Sequence, residues 1–274
     1  MKFKDKLLNK AIENKSWLCV GLDPDINKLP NEIDKNIVGV GKFLRSIIDA
    51  TSDIVCAYKP NSAFYEQFGI EGVSLLREII SYVPDSIPVI LDAKRGDIGN
   101  ASRMYAVSAF DHLKADAITV NPYMGYDCVK PFLEYKDKGV IVLCLTSNPS
   151  SAEFQKRTIS NKDCSWALYK LVAEKVLSWN EYGNIGLVAG ATSPMELSEI
   201  REIIGDDIPI LIPGVGAQGG DLEASLKMGS NSSGQLAIIN VSRSALYASK
   251  ESDYAEKSRT SALQLVSRMR SLLF

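Results

Sequence analysis

The sequence predicts a single-domain α/β fold, a (β/α)8 or TIM barrel, and three observations predict it. Short β-branched runs recur eight times along the 274 residues, and helical patterns fill the gaps between them. The length is close to the roughly 250 residues typical of one such barrel. No Pro/Ser linker or break in composition divides the chain, so residues 1–274 are expected to form one domain. Near-continuous apolar character belongs to parallel strands covered on both faces, and strand–helix alternation repeated eight times favours a closed barrel over a doubly wound open sheet.

The elements follow in order. WLCVGLD (17–23) is the first strand run, and VGKFLRSIIDA places apolar residues at helical intervals after it. IVCAYKPN (54–61) is the second, followed by the helical EGVSLLREIISYV. IPVILDAK (87–94) and ASRMYAVSAFDHL form the third pair. AITVNPY (117–123) and GVIVLCLTS (139–147) are the fourth and fifth strand runs. A long segment from Asn148 to about Lys162 follows, read as a structureless candidate lid because loops of that length are usually functional or disordered. WALYKLVAEKVLSW then reads as helix, and IGLVAGAT (185–192) as strand. MELSEIREII, IPILIPGVG (208–216), DLEASLKMG, LAIINVSRS (236–244) and the helical SALQLVSRMRSLLF complete the alternation.

In such a barrel the chemistry sits where strands end and βα loops begin. The eight tips carry Asp23, Lys59, Asp92 with Lys94, Asn121, Ser147, Thr192, the glycines around Gln218, and Arg243. Asn121 stands before Pro122 and equally serves a turn, so it is left out of the candidate set. In LDAKRGDIGN (91–100), Asp92 and Lys94 are two apart and share a strand face, while Asp97 follows in the loop. Lys59 reaches Asp92 from the neighbouring strand, giving an alternating series Lys59–Asp92–Lys94–Asp97. An ion-pair network that only satisfies rim charges is the plainer reading. The sharper one is an ammonium, Lys94, held by carboxylates beside a carbon that gains negative charge, which it stabilises and then protonates.

IPGVGAQGGD (212–221) supplies glycines that let the backbone approach an anion, with a helix expected to begin near Asp221. Turn-making glycines alone would explain the pattern. Arg243 on the adjacent strand tip adds a forked cation suited to phosphate.

Composition excludes more than it assigns. Hydrophobic residues make up 46% and charged residues 23%, with a formal net charge of -2. That balance gives no reason to expect nucleic acid or an anionic membrane as partner. Five cysteines without a CxxC pair read as reduced thiols of a cytoplasmic protein. The amino terminus mixes charges through its apolar residues, unlike a signal peptide, and no run reaches the roughly 18 apolar residues of a membrane span. The one histidine, His112, lies in a helical pattern away from the tips, so no metal site is expected.

With these residues assembled, the chain resembles the orotidine 5'-phosphate decarboxylases, from GLDPD (21–25) to VSRSALY (241–247). The DxKxxDI pattern at Asp92, Lys94, Asp97 and Ile98 is the most specific part. YKPNSAFYEQFG, VNPYMG, TSNPS, LVAGATSP and PGVGAQGGD look like the branch found in some bacteria and malaria-type parasites. The resemblance implies decarboxylation of orotidine 5'-monophosphate to UMP without cofactor or metal. It implies that Asp23 and Lys59 bind ribose hydroxyls, that Asp92 lies near the substrate carboxylate, and that Lys94 protonates C6. Asp97 and Ile98 would cross a homodimer interface into the neighbouring site. Ser147 would read the pyrimidine, and Gly216, Gln218 and Arg243 would hold the phosphate, with Pro213 in the same substrate-binding group. The family usually has Thr where Ala101 stands here, so the cross-subunit hydroxyl would have to come from Ser102 or water. Related Mg-dependent sugar-phosphate enzymes share DxKxxD but carry an acid where this chain has Lys59. A nucleotide-binding barrel without activity is the alternative from another class. A Schiff-base aldolase is disfavoured because flanking carboxylates keep Lys94 protonated.

Overall fold

The computed structural model describes residues 1–160, 165–216 and 219–273. Eight parallel strands make the barrel: β1 (Leu18–Gly21), β2 (Ala57–Lys59), β3 (Ile90–Arg95), β4 (Ala117–Val120), β5 (Gly139–Leu145), β6 (Ile185–Ala189), β7 (Ile210–Pro213) and β8 (Ala237–Val241). Each falls inside one of the eight apolar runs except β3, which extends one residue past the third run to Arg95. Hydrogen bonding runs in the order β2–β1–β8–β7–β6–β5–β4–β3. The ring closes through the bridges Tyr58 with Val89 and Asn61 with Asp92, where the Asp92 N–H donates to Pro60 O at 2.9 Å. The closing seam therefore passes through the site.

Among the described residues four helices were not expected from the sequence, two of them single turns at Ala63–Glu66 and Arg243–Leu246. Phe3–Asn14 crosses the amino-terminal end of the barrel. It is tied there by Phe3 N–H to Asp137 O (2.8 Å), Lys6 to Asp116 (2.8 Å) and Asn14 to Val55 O (2.7 Å), all on residues just ahead of strands. Phe3 packs where Gly139 has no side chain; a Cβ on Gly139 would lie 2.3 Å from its ring. Tyr126–Leu133 fills the gap after β4 and is short, with Pro131 inside it, which weakens the helical pattern.

The segment after β5 is not structureless. A 3-10 turn at Pro149–Glu153 leads into an antiparallel hairpin of Thr158–Ser160 with Ser165–Ala167. The hairpin takes the first residues of the WALYKL segment, so the following helix begins at Leu168. Gln155 anchors the turn to the strand tip: its Oε1 accepts the Thr146 N–H at 2.7 Å.

Candidate active site

Asp92 is the centre of the site. Its Oδ2 accepts from the Lys59 ammonium at 2.8 Å and from Asn61 Nδ2 at 3.4 Å. Its Oδ1 accepts from the Lys94 ammonium at 2.6 Å and from the Thr119 hydroxyl at 2.9 Å. Lys59 is 4% exposed and Asp92 9% exposed, so the Lys59–Asp92 pair is buried, whereas Lys94 opens to solvent. Burial disfavours ionisation of Asp92, but the Lys59 and Lys94 charges outweigh it and hold the carboxyl well below the usual range. Burial likewise works against a charged Lys59, and the charges of Asp23 and Asp92 overcome it and push its pKa up.

Lys94 reaches Asp92 by a route the two-residue spacing did not predict. The β3–β4 register shifts between Leu91 and Arg95, and Lys94 itself has φ of 48°, in the left-handed region. Its N–H donates to the Thr119 hydroxyl at 3.0 Å. A bulge, not a regular strand face, aims the ammonium. Thr119 thus holds both the backbone of Lys94 and the carboxylate that Lys94 pairs with.

The other expected residues divide into those brought together and those not. Asp23 Oδ1 accepts the Asn61 N–H at 3.0 Å, which ties the β1 tip to the same cluster. Asp97 does not join the series within one chain: its carboxylate accepts the neighbouring Ile98 N–H at 2.7 Å, and among the described residues it forms no ion pair. Ile98 is 62% exposed. Ser102 does not replace a hydroxyl at Ala101, because it is fully buried and donates to Cys128 O at 2.6 Å. Ser147 stands just beyond β5, against Gly190, where a Cβ would meet its backbone at 2.9 Å.

A cavity of about 460 Å³ joins this cluster to the β7–β8 end, where Pro213, Gly214 and Arg243 line it. Arg243 is exposed and makes no ion pair among the described residues, so its guanidinium is available to an anion. Gly214 (φ 100°) and Gly216 (φ 73°) turn the chain in conformations that favour glycine. The helix after this loop, Leu222–Gly229, is capped by its own Asp221, whose carboxylate accepts the Ala224 N–H at 2.7 Å. That cap takes one of the free N–H groups of the helix's first turn. Gln218 lies outside the described residues.

Sequence reasoning missed Asn61 and Thr119. Thr119 is the one hydroxyl in the AITV run, a polar group inside an apolar strand, and that was the available signal. Asn61 follows Lys59 in the KPN tip and carried a similar one.

A closed parallel barrel whose carboxyl-end mouth carries a buried Lys–Asp pair, extended by a solvent-facing Lys94 and accompanied by an unpaired arginine, defines a class: a barrel enzyme for a small anionic ligand. Comparison with known proteins narrows it. The family model described as "Orotidine 5'-phosphate decarboxylase / HUMPS family" matches residues 16–258, and the chain belongs to this family. It is 48% identical over 268 residues to the orotidine 5'-phosphate decarboxylase of Cupriavidus taiwanensis, covering 96% of each chain. Among solved structures it is similar to the OMP decarboxylase of Leishmania donovani, with TM-score 0.86, 41% identity and 99% of both chains covered. It is also similar to the UMP synthase of the same organism, with TM-score 0.89 and 42% identity over 99% of this chain, which spans 56% of that longer one. Among the described residues no helix is long and apolar enough to cross a membrane.

Proposed function

We propose that the chain is a single-domain decarboxylase that converts orotidine 5'-monophosphate to UMP, the last step of de novo pyrimidine nucleotide synthesis, without metal or organic cofactor. The observation that carries the reading is the Lys59–Asp92–Lys94 chain at 2.8 and 2.6 Å, with Lys94 as its solvent-facing end. In this reaction the C6–carboxyl bond breaks, CO2 leaves, and the electron pair stays on C6. The Lys94 ammonium offsets that charge and gives C6 its proton, and solvent reprotonates the amine. At 4 Å two unit charges interact by about 4 kcal/mol at an effective dielectric of 20. That is short of the roughly 8–23 kcal/mol enzymes supply. Remote binding makes up the difference by fixing the substrate. Arg243, Pro213, Gly216 and Gln218 are assigned to the phosphate, Asp23 and Lys59 to the ribose, and Ser147 to the pyrimidine.

The same reading makes the working enzyme a homodimer. Asp97 and Ile98 project from the tip of β3 with no use in their own chain's cluster, and each is assigned to the neighbouring subunit's site. Met104, Tyr105, Tyr123 and Met124 are exposed on the two βα units beside them, an apolar surface that a second copy would cover. The free, buried Cys19, Cys56, Cys128 and Cys144 fit a cytoplasmic setting.

The test is the loss of ultraviolet absorbance after adding orotidine 5'-monophosphate, repeated with EDTA. Equal turnover with and without chelator is expected, because both oxygens of Asp92 are taken by ammonium and hydroxyl donors. Turnover abolished by EDTA would favour the Mg-dependent sugar-phosphate branch. Binding without turnover would favour an inactive barrel.

A further inference from the structure

The floor of the cavity on the β8 side holds two polar side chains that the proposed reaction leaves unused. Asn240 and Ser242 both line it. Asn240 lies within β8, and Ser242 is the first residue beyond it. Asn240 is registered against Cys19 of β1 and Pro213 of β7. It is 8% exposed, and its Oδ1 is buried with no hydrogen-bond partner. The Ser242 Oγ is likewise buried and unpartnered. Buried polar atoms are nearly always hydrogen-bonded, so two such atoms on residues lining one cavity point to a ligand that completes them.

Their position selects which part of the ligand. A nucleoside monophosphate carries its sugar between phosphate and base. With phosphate at Arg243 and Pro213, and the base at Asp92 and Lys94, the sugar lies over β1 and β8. Gly21 of β1 makes the space: a Cβ there would stand 3.2 Å from Ser242 Oγ and 3.0 Å from Asp23 Oδ2. The hydroxyl and the carboxylate therefore converge on one small region. A sugar hydroxyl both donates and accepts. It can donate to Asp23 or to Asn240 Oδ1 while accepting from the Ser242 hydroxyl or the Asn240 amide. A methylene in its place leaves these atoms unpaired.

We propose that Asn240 and Ser242 read the sugar hydroxyls of the bound nucleotide, so that the β8 side of the cavity selects ribonucleotides over deoxyribonucleotides. This rests on the decarboxylase reading and extends it.

Calorimetric titration of UMP, 2'-deoxy-UMP and 3'-deoxy-UMP into the wild type, Asn240→Leu and Ser242→Ala tests it. Each variant is expected to bind UMP about tenfold more weakly, the scale of one lost hydrogen bond with a stranded partner. Each should bind at least one deoxy analogue as the wild type does, because the hydroxyl it reads is already missing. Unliganded Asn240→Leu should melt no lower than the wild type, since an unpartnered acceptor is removed. Unchanged UMP affinity in both variants overturns the proposal, as does equal weakening for UMP and both analogues. Should Asn240→Leu fail to fold, Ser242→Ala decides by the same criteria. A wild type that binds UMP, with both variants binding it equally well, sinks this inference only. A wild type that neither binds UMP nor turns over substrate sinks the functional reading as well.

Discussion

Lys94 combines a rare backbone conformation with the shortest cross-link of the site, φ of 48° and 2.6 Å to Asp92. A non-glycine residue held there stores on the order of 1–3 kcal/mol of strain, which the Thr119 hydroxyl and the Asp92 carboxylate sustain. Lys94→Gly is therefore expected to be more stable than Lys94→Ala by about 1 kcal/mol, since both lack the ammonium and only alanine keeps the strain. Urea denaturation of the two variants checks this; equal midpoints would show a relaxed backbone. Ionisation gives a second expectation. Asp92 has a lowered folded pKa, so its stabilisation is complete above the unfolded value of about 3.9 and is lost as pH falls through the folded one. Lys59 has a raised folded pKa, so its share is complete below about 10.4 and is lost as pH rises through the folded value. Melting temperature followed from pH 2 to 11 should show the gap between wild type and Asp92→Asn narrowing towards the acid end. A gap unchanged down to pH 2 would contradict the paired carboxylate. Of this cluster, the three charged residues were legible as a pattern of strand tips. Thr119 and Asn61 were not, because one polar residue in an apolar run announces burial but not its partner. The bulge at Lys94 was hidden too, since nothing in DAK marks a positive φ on lysine.

The strands were legible because burial on both faces leaves an unbroken apolar run, and that constraint does not depend on distant residues. The helix Phe3–Asn14 was not, because its buried face is narrow and its role is set by the barrel end it covers. Gly139→Ala is expected to destabilise by about 1–3 kcal/mol by driving a methyl into the Phe3 ring. Phe3→Leu in the same chain should recover part of that loss, which thermal denaturation of the double variant measures. The β7 loop has the positive-φ glycines that its sequence suggests, while the Asp221 cap on the helix that follows was not foreseen. In the same loop, Gly220 allows Ala191 and Gly214 to close in; its Cβ would lie 2.5 Å from Ala191 Cβ. Gly220→Ala should weaken UMP binding by about tenfold or more while leaving uridine binding nearly unchanged, because the distortion falls on the phosphate end. Equal losses for nucleotide and nucleoside would place the phosphate elsewhere.

At the scale of the whole molecule, one barrel end is plugged by a helix and the other carries every charged group of the site. The proposed dimer was suggested only by family resemblance, because exposed apolar residues on two adjacent βα units are not contiguous in sequence. Tyr123, 85% exposed, is a direct probe of it. Tyr123→Arg is expected to shift the protein from dimer to monomer in sedimentation and to lower turnover with it, since Asp97 and Ile98 would no longer reach a second site. A fully active monomer would contradict the shared site. The decisive measurement is single-turnover decarboxylation by Lys94→Ala with UMP affinity measured alongside. A fall in rate of about a thousandfold or more, with UMP affinity within about tenfold of wild type, is what a positioned ammonium predicts. A rate equal to wild type would contradict it.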